Sequence, residues 1–303
     1  MIDGLLVALI GLSVILLIWP FALYPLILRL LPARTIAAET AAAPPSAALL
    51  FCAYDEAAAL PAKIANLRAL KARHPGLEIL AYDDGSSDGT TALLAEAGDL
   101  LMLVPGAGRS GKAHGMKRLA ALATSDILVF TDANVLLAED AIDRLLPYYA
   151  DSQVGGVLGS LRYIGGDSSA TASVGGLYWR LEEHLKDLES RSGNVMGADG
   201  SIFSVRRALY PDFPDDVLDD LTVSMAVVFA GRRLIKARDV LAYERLVTER
   251  RDEYRRKIRI AARAWHTHRH LRPGLRRMRG IDRFKYASRK LVRWFGGLWL
   301  MLG

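Results

Sequence analysis

The sequence predicts an α/β fold built on a Rossmann-like mixed, mostly parallel sheet. One transmembrane helix precedes the sheet, and amphipathic interfacial helices follow it. Three observations predict this arrangement: an uncharged apolar run at the amino end, short apolar strands alternating with helical segments, and a dense basic block near the carboxyl end. Of the 303 residues 51 % are hydrophobic, enough for a sizeable core.

From Gly4 to Leu28 no residue carries a charge. About 20 apolar helical residues cross a bilayer, so this run is long enough to span with some tilt. A cleaved signal peptide would begin with basic residues and have a shorter apolar core, whereas this chain begins Met1-Ile2-Asp3. Arg29 and Arg34 follow the run and nothing basic precedes it, which places the rest of the chain in the cytoplasm. Cys52 is the only cysteine. Intramolecular disulfides and cysteine-rich zinc sites are therefore excluded.

Residues 1–34 are read as the membrane helix and its flank, and 35–46 as an Ala/Pro-rich linker. Ala47 to Cys52 is a short apolar run of the kind that forms a strand buried on both faces. Leu60, Ile64, Leu67 and Leu70 then form a helical stripe. Strands are predicted at Leu77–Tyr82, Leu100–Val104 and Asp126–Thr131, with helices at 90–97, 112–123 and 138–149 between and after them. Further on, strands are expected at Val154–Leu161, Ile202–Val205 and Leu234–Ala237, and helices at Gly175–Ser190 and Leu218–Phe229. The catalytic domain so read spans 47–250, with a nucleotide half at 47–135 and an acceptor half at 136–250.

The remainder, 251–303, is a basic membrane-associated region. Between Arg250 and Arg293 there are seventeen Lys or Arg residues against Asp252, Glu253 and Asp282. In a chain that already enters a membrane, lipid headgroups explain this block. Trp265 and Leu271 are expected to face lipid. Nucleic-acid binding would need aromatics interleaved for stacking, which Tyr254 and Trp265 scarcely supply.

Alternating strands and helices make sheets whose ligands bind at the carboxyl ends of the strands. Asp83 and Asp84 open a loop after one strand, Asp132 and Asn134 follow another, and Asp219 and Asp220 begin a helix. Such oxygens suit a hard cation such as Mg²⁺ or Mn²⁺ shared with substrate phosphates. Singly, each Asp is equally explained by turn chemistry or helix capping.

Four motifs in order carry a resemblance. They are Cys52-Ala53-Tyr54-Asp55-Glu56, then Asp83-Asp84-Gly85-Ser86-Ser87-Asp88-Gly89-Thr90, then Gly111-Lys112-Ala113, then Thr131-Asp132-Ala133-Asn134. Together they resemble the family 2 inverting glycosyltransferases of GT-A fold, in a membrane-anchored bacterial form. The likeness runs from about Ser46 to Arg263.

The resemblance implies that Tyr54 and Glu56 border a nucleotide pocket. It implies that Asp83, with Asp84, hydrogen-bonds the base, usually uracil, and that Lys112 lies near the diphosphate. Asp132 heads the metal motif, whose second carboxylate is here the amide Asn134, so Mg²⁺ or Mn²⁺ would be held by Asp132, Asn134 and the diphosphate. Asp220, paired with Asp219, corresponds to the general base. Asp199, in Gly197-Ala198-Asp199-Gly200, resembles an acceptor-side segment.

Processive relatives carry Gln-x-x-Arg-Trp, and the matching stretch Arg256-Lys257-Ile258-Arg259-Ile260 keeps only Arg259. Transfer of one or a few sugars is expected, with Arg259 able to pair with the diphosphate. The implied reaction takes sugar from a nucleotide-sugar to a lipid-linked or envelope polysaccharide acceptor at the inner (plasma) membrane. Two other readings compete. A degenerate membrane-bound nucleotide-sugar binder would fit Asn134, and a sugar-phosphate nucleotidyltransferase would need a Gly-rich, lysine-bearing loop where Ala53-Tyr54-Asp55-Glu56 stands.

Overall fold

The computed structural model describes residues 2–36, 44–164, 170–245 and 250–296. The apolar run forms α1 (Ile2–Ile18), a π turn at Trp19–Leu23 and α2 (Tyr24–Leu30). Pro20 lacks a backbone donor, which accounts for the wider turn there. Within Val7–Leu30 an 18-residue stretch has a mean hydropathy of 2.3 and is 17 % buried, so this helix is long and apolar enough to cross a membrane. Its second half docks on the rest of the chain. Tyr24 and Leu28 pack on Leu185 and Leu188, and the Tyr24 hydroxyl donates to Glu189 Oε1 at 2.5 Å.

The chain then runs through β1 (Ala47–Ala53), α3 (Leu60–Arg73), β2 (Glu78–Asp83), α4 (Thr90–Glu96), β3 (Met102–Pro105), α5 (Lys112–Leu122) and β4 (Ile127–Thr131). The second half comprises β5 (Leu136–Leu137), α6 (Ala141–Leu145), β6 (Val154–Ile164), α7 (Ala170–Arg191), β7 (Ile202–Arg206), α8 (Asp219–Phe229) and β8 (Arg233–Arg245). Three helices close the described chain: α9 (Arg250–Arg277), α10 (Gly280–Tyr286) and α11 (Val292–Trp294).

The strands form one mixed sheet in the order β3-β2-β1-β4-β7-β6-β8-β5. The first four are mutually parallel; β7 runs against both β4 and β6, and β8 runs parallel to β6. Thus β1, β2, β4, β6 and β8 all point their carboxyl ends to the same edge.

Both faces are apolar because successive strand side chains alternate. Leu49 and Phe51 enter one layer with Leu60, Ile64, Leu67 and Leu70 of α3. Ala48 and Leu50 enter the other with Met116 and Leu119 of α5 and Val223 and Val227 of α8. Each large aliphatic side chain buried this way contributes roughly 1.5–3 kcal/mol. Gly115 sets how closely α5 approaches: a Cβ there would lie 2.4 Å from Tyr82 and 2.7 Å from Cys52 Sγ.

Two expectations need correction. The strand expected at Leu234–Ala237 extends to Arg245, because its later part gains partners in both β6 and β5. Leu271 does not face lipid. It is 4 % exposed and packs in the same layer as α8, while Trp265 on the same helix is 47 % exposed.

Candidate functional site

At the carboxyl edge of the sheet lies a cleft of about 600 Å³. Tyr54 and Glu56 reach it from the end of β1, Asp84 from β2, Asp132 and Asn134 from β4, and Asp219 and Asp220 from the start of α8. Lys112, the first residue of α5, completes the set. Residues from five separate stretches thus converge on one space.

The adjacent acids after β2 diverge. Asp83 is 3 % exposed, accepts from Ser86 N at 3.2 Å and from the Ser86 and Thr91 hydroxyls, and does not line the cleft. Asp84 does line it, and accepts from the Ser110 and Gly111 amides at 2.7 and 2.9 Å. Asp84 therefore clamps the loop that presents Lys112. Asp88 fastens the other side, accepting from Ala57 N at 2.9 Å.

Lys112 Nζ donates to Asp132 Oδ1 at 2.6 Å. Burial alone would lower the Lys112 pKa, but Asp132, Asp219 and Asp220 outweigh it and hold the ammonium charged. Gly200 lies against this pair, and a Cβ there would meet Lys112 Nζ at 2.7 Å and Asp132 Oδ2 at 3.2 Å. Asp220 behaves oppositely. Burial, reinforced by the Asp219 charge, pushes its carboxyl up to about 7, although Lys112 pulls it back. Glu56 is also raised, first by burial and then by Asp132.

The start of α8 is held from two sides. Thr267 of α9 accepts from Leu218 N at 2.8 Å. Ser224 donates to the Asp220 carbonyl at 2.6 Å and accepts from Ala198 N at 2.9 Å, tying the 197–200 loop to the helix. Asp199 in that loop lines the cleft and is ion-paired to Lys186. The side chain of Arg259 lies outside the described residues.

Sequence reasoning overlooked Arg109, Arg263 and Glu244, all of which line the cleft. The Arg109 guanidinium lies 4.1 Å from the Tyr54 ring centre. Its signal was the run Gly108-Arg109-Ser110-Gly111-Lys112, a glycine-bordered basic loop opening a helix. Arg263 stands one helical turn after Arg259. Glu244, at the end of β8, accepts from Asn134 Nδ2 at 3.1 Å.

That contact orients the Asn134 amide. Among the described residues no group of three or more His, Cys, Asp or Glu side chains is placed to hold a metal. The oxygens of Asp132 and Asn134 fit Mg²⁺ or Mn²⁺, which usually takes few protein ligands and completes its shell with phosphates and water.

Similarity to known proteins agrees with this arrangement. The pattern of the family described as Glycosyl transferase family 2 matches residues 49–213. The structure is similar to the mannosyltransferase PcManGT from Pyrobaculum calidifontis in complex with GDP-Man and Mn²⁺, with a TM-score of 0.79 and 22 % identity over 98 % of this chain and 84 % of that one. It is similar to S. aureus TarS 1–349 in complex with UDP-GlcNAc, with a TM-score of 0.57 and 12 % identity over 82 % and 71 %. A third likeness is to mannosyl-3-phosphoglycerate synthase from Rubrobacter xylanophilus, with a TM-score of 0.52 and 19 % identity over 80 % and 79 %. At these identities the likeness shows the fold, which is GT-A. No curated protein sequence matches the chain.

Proposed function

Because this chain belongs to glycosyl transferase family 2, we propose that it is an inverting, metal-dependent hexosyltransferase anchored in the inner (plasma) membrane. It takes a sugar from a nucleotide-sugar, UDP-linked by the motif resemblance, and passes it to a hydroxyl of a lipid-linked or envelope polysaccharide acceptor. The carrying observation is the convergence on one cleft of the Lys112–Asp132 pair and of Asp220, whose carboxyl is pushed up to about 7.

Tyr54, Glu56 and Asp84 border the nucleoside, with the Arg109 guanidinium against the Tyr54 ring. Lys112 and Arg263 supply fixed positive charge for the diphosphate. The acceptor oxygen bonds to the anomeric carbon as the bond from that carbon to the diphosphate oxygen breaks. The hydroxyl proton passes to an Asp220 oxygen, for which a pKa near working pH is well matched. A bound Mg²⁺ or Mn²⁺ held by Asp132 and the Asn134 oxygen would offset charge on the leaving diphosphate. Replacement of the processive motif by Arg256–Ile260 favours one or a few transfers per encounter.

The test is nucleoside diphosphate release by the purified full chain in detergent, with a panel of UDP- and GDP-sugars and Mn²⁺ or Mg²⁺. Metal-dependent release from one donor, lost in Asp132→Ala and Asp220→Ala, is expected. Binding of nucleotide-sugar with no turnover for any donor, even with membrane extract as a source of acceptor, would instead make the chain a binder.

A further inference from the structure

A second cavity, of about 750 Å³, lies away from the cleft and faces different chemistry. It opens at the amino ends of β6 and β8, where Asp151 and Arg233 sit, so it occupies the edge of the sheet opposite Asp132. Its charged lining is Arg34, Arg232, Arg233, Arg277 and Arg279 against Asp151 and Asp282. The stretch holding Arg34 leaves α2 four residues earlier, at Leu30, so the cavity adjoins the end of the apolar helix.

Among the described residues of the lining, guanidiniums outnumber carboxylates five to two. Among the described residues, no carboxylate forms an ion pair with Arg34, Arg277 or Arg279. Arg232 donates to the Ser152 carbonyl at 2.8 Å, and Arg233 to the Thr35 and Arg34 carbonyls at 2.8 and 3.2 Å. These bonds fix the forks in place but bring no negative charge. Arg233 Nε is buried with no hydrogen-bond partner among the described residues. Burial lowers the Arg233 pKa and the Arg34 charge lowers it further, with Asp151 opposing. Asp282 already accepts from Asn194 Nδ2 at 3.2 Å.

Gathering five guanidiniums around two carboxylates raises the electrostatic energy of the apo fold, and an anion in the cavity relieves it. Guanidinium forks match the oxygen geometry of phosphate better than that of a point anion. Phe229 and Met278 supply an apolar wall for an organic substituent. We propose that this cavity is a second ligand site, separate from the donor cleft, that binds a phosphate group carried on an organic molecule. Two sources share that chemistry: the headgroup of an anionic phospholipid, and a soluble phosphate ester. The inference stands whether or not the transferase reading does, since none of its residues lies in the cleft.

The experiment uses the full chain in a non-ionic detergent, titrated with inorganic pyrophosphate by calorimetry without divalent metal. A Lys112→Ala background weakens the donor-cleft component. Residual binding is expected there, weakened about tenfold or more by Arg34→Gln with Arg279→Gln, as loss of charge-assisted contacts predicts. Arg277→Gln alone, with circular dichroism as a folding control, should weaken it in the same direction. Soluble dihexanoyl phosphatidylglycerol is then added as competitor, with dihexanoyl phosphatidylcholine as reference. Displacement by the glycerol lipid alone assigns the site to an anionic headgroup, and failure of either lipid to displace assigns it to a soluble phosphate ester. Pyrophosphate binding abolished by Lys112→Ala alone, or residual binding indifferent to the arginine changes in folded protein, overturns the proposal.

Discussion

Lys112 Nζ and Asp132 Oδ1 are joined at 2.6 Å across the cleft, so the lysine already occupies one oxygen of the carboxylate expected to take a cation. In Lys112→Met that oxygen is freed and a competing positive charge is lost. The variant should bind Mn²⁺ more tightly than wild type without nucleotide, by about tenfold, since Coulomb repulsion between cation and ammonium is removed. Turnover should fall about a hundredfold or more as the diphosphate loses a fixed charge. Mn²⁺ titration followed by electron paramagnetic resonance checks the first effect; unchanged or weaker Mn²⁺ binding would refute this reading of the pair.

Asp220, held up at about 7 chiefly by burial and then by Asp219, must lose its proton to act as base. Activity should therefore rise with pH through about 7 and level off above it. Asp219→Asn removes a neighbouring negative charge, which stabilises the Asp220 carboxylate and moves the acid limb to lower pH. A kcat/KM profile from pH 5.5 to 9 reads both. An acid limb that stays in place in the variant would dissociate it from the Asp219–Asp220 pair.

The same elevation bears on stability. The Asp220 carboxyl holds its proton in the folded chain to about pH 7, whereas an ordinary aspartate loses it near 4. Between those values the folded state binds the extra proton, so stability falls as pH rises through the window and stays reduced above it. Asp220→Asn lacks this loss and should be more stable than wild type at pH 8, by about 1–2 kcal/mol, while losing activity. Thermal unfolding in detergent at pH 5 and 8 measures it, and the gap between variant and wild type must widen at pH 8.

Gly200 stands where any side chain would strike the Lys112–Asp132 pair, with the ammonium 2.7 Å from an added Cβ. A lysine tip can move, so Gly200→Ala should unfold no more readily than wild type, within about 0.5 kcal/mol. Its displacement from Asp132 should still lower kcat/KM about tenfold or more, since a misplacement near 1 Å is costly in a preorganised site. Steady-state kinetics beside a melting curve separates these effects, and full activity would mean that the pair is not used.

The parts of this site that were legible belong to strand ends. Apolar runs ending in Asp84, Asp132 and Tyr54 announced a parallel sheet and its ligand edge, because buried strands leave few other places for charge. Which of two adjacent acids faces the cleft was a finer matter of alternation: both are buried, but only Asp84 turns to the cleft. Glu244 was illegible for a different reason. It meets Asn134, 110 residues away in sequence, only because β8 continues past Ala237 and pairs with β5. Arg109 and Arg263 were hidden in segments read for their backbone or overall charge, and the arginines of the second cavity are scattered over three stretches.

Lys63 is 0 % exposed, with Nζ donating to the Val135 carbonyl at 2.6 Å and lying 5.4 Å from the Phe51 ring centre. Burial lowers its pKa to about 7, against the attraction of Asp132. An unfolded lysine titrates near 10.4, so between about pH 7 and 10 the unfolded chain binds more protons than the folded one. Wild-type stability should accordingly rise with pH across that window, by about 2 kcal/mol from pH 7 to 9. Lys63→Met keeps most of the volume and removes the titration, so its stability should lack this increment while the Val135 carbonyl loses its donor. Because that carbonyl lies just past Asn134, the variant should also raise the KM for metal with little change in KM for the nucleotide-sugar. Melting temperatures at pH 7 and 9 for both proteins decide the matter: equal slopes would mean that Lys63 stays charged in the folded chain, and that its ammonium is stabilised by the field of Asp132 more than burial opposes it.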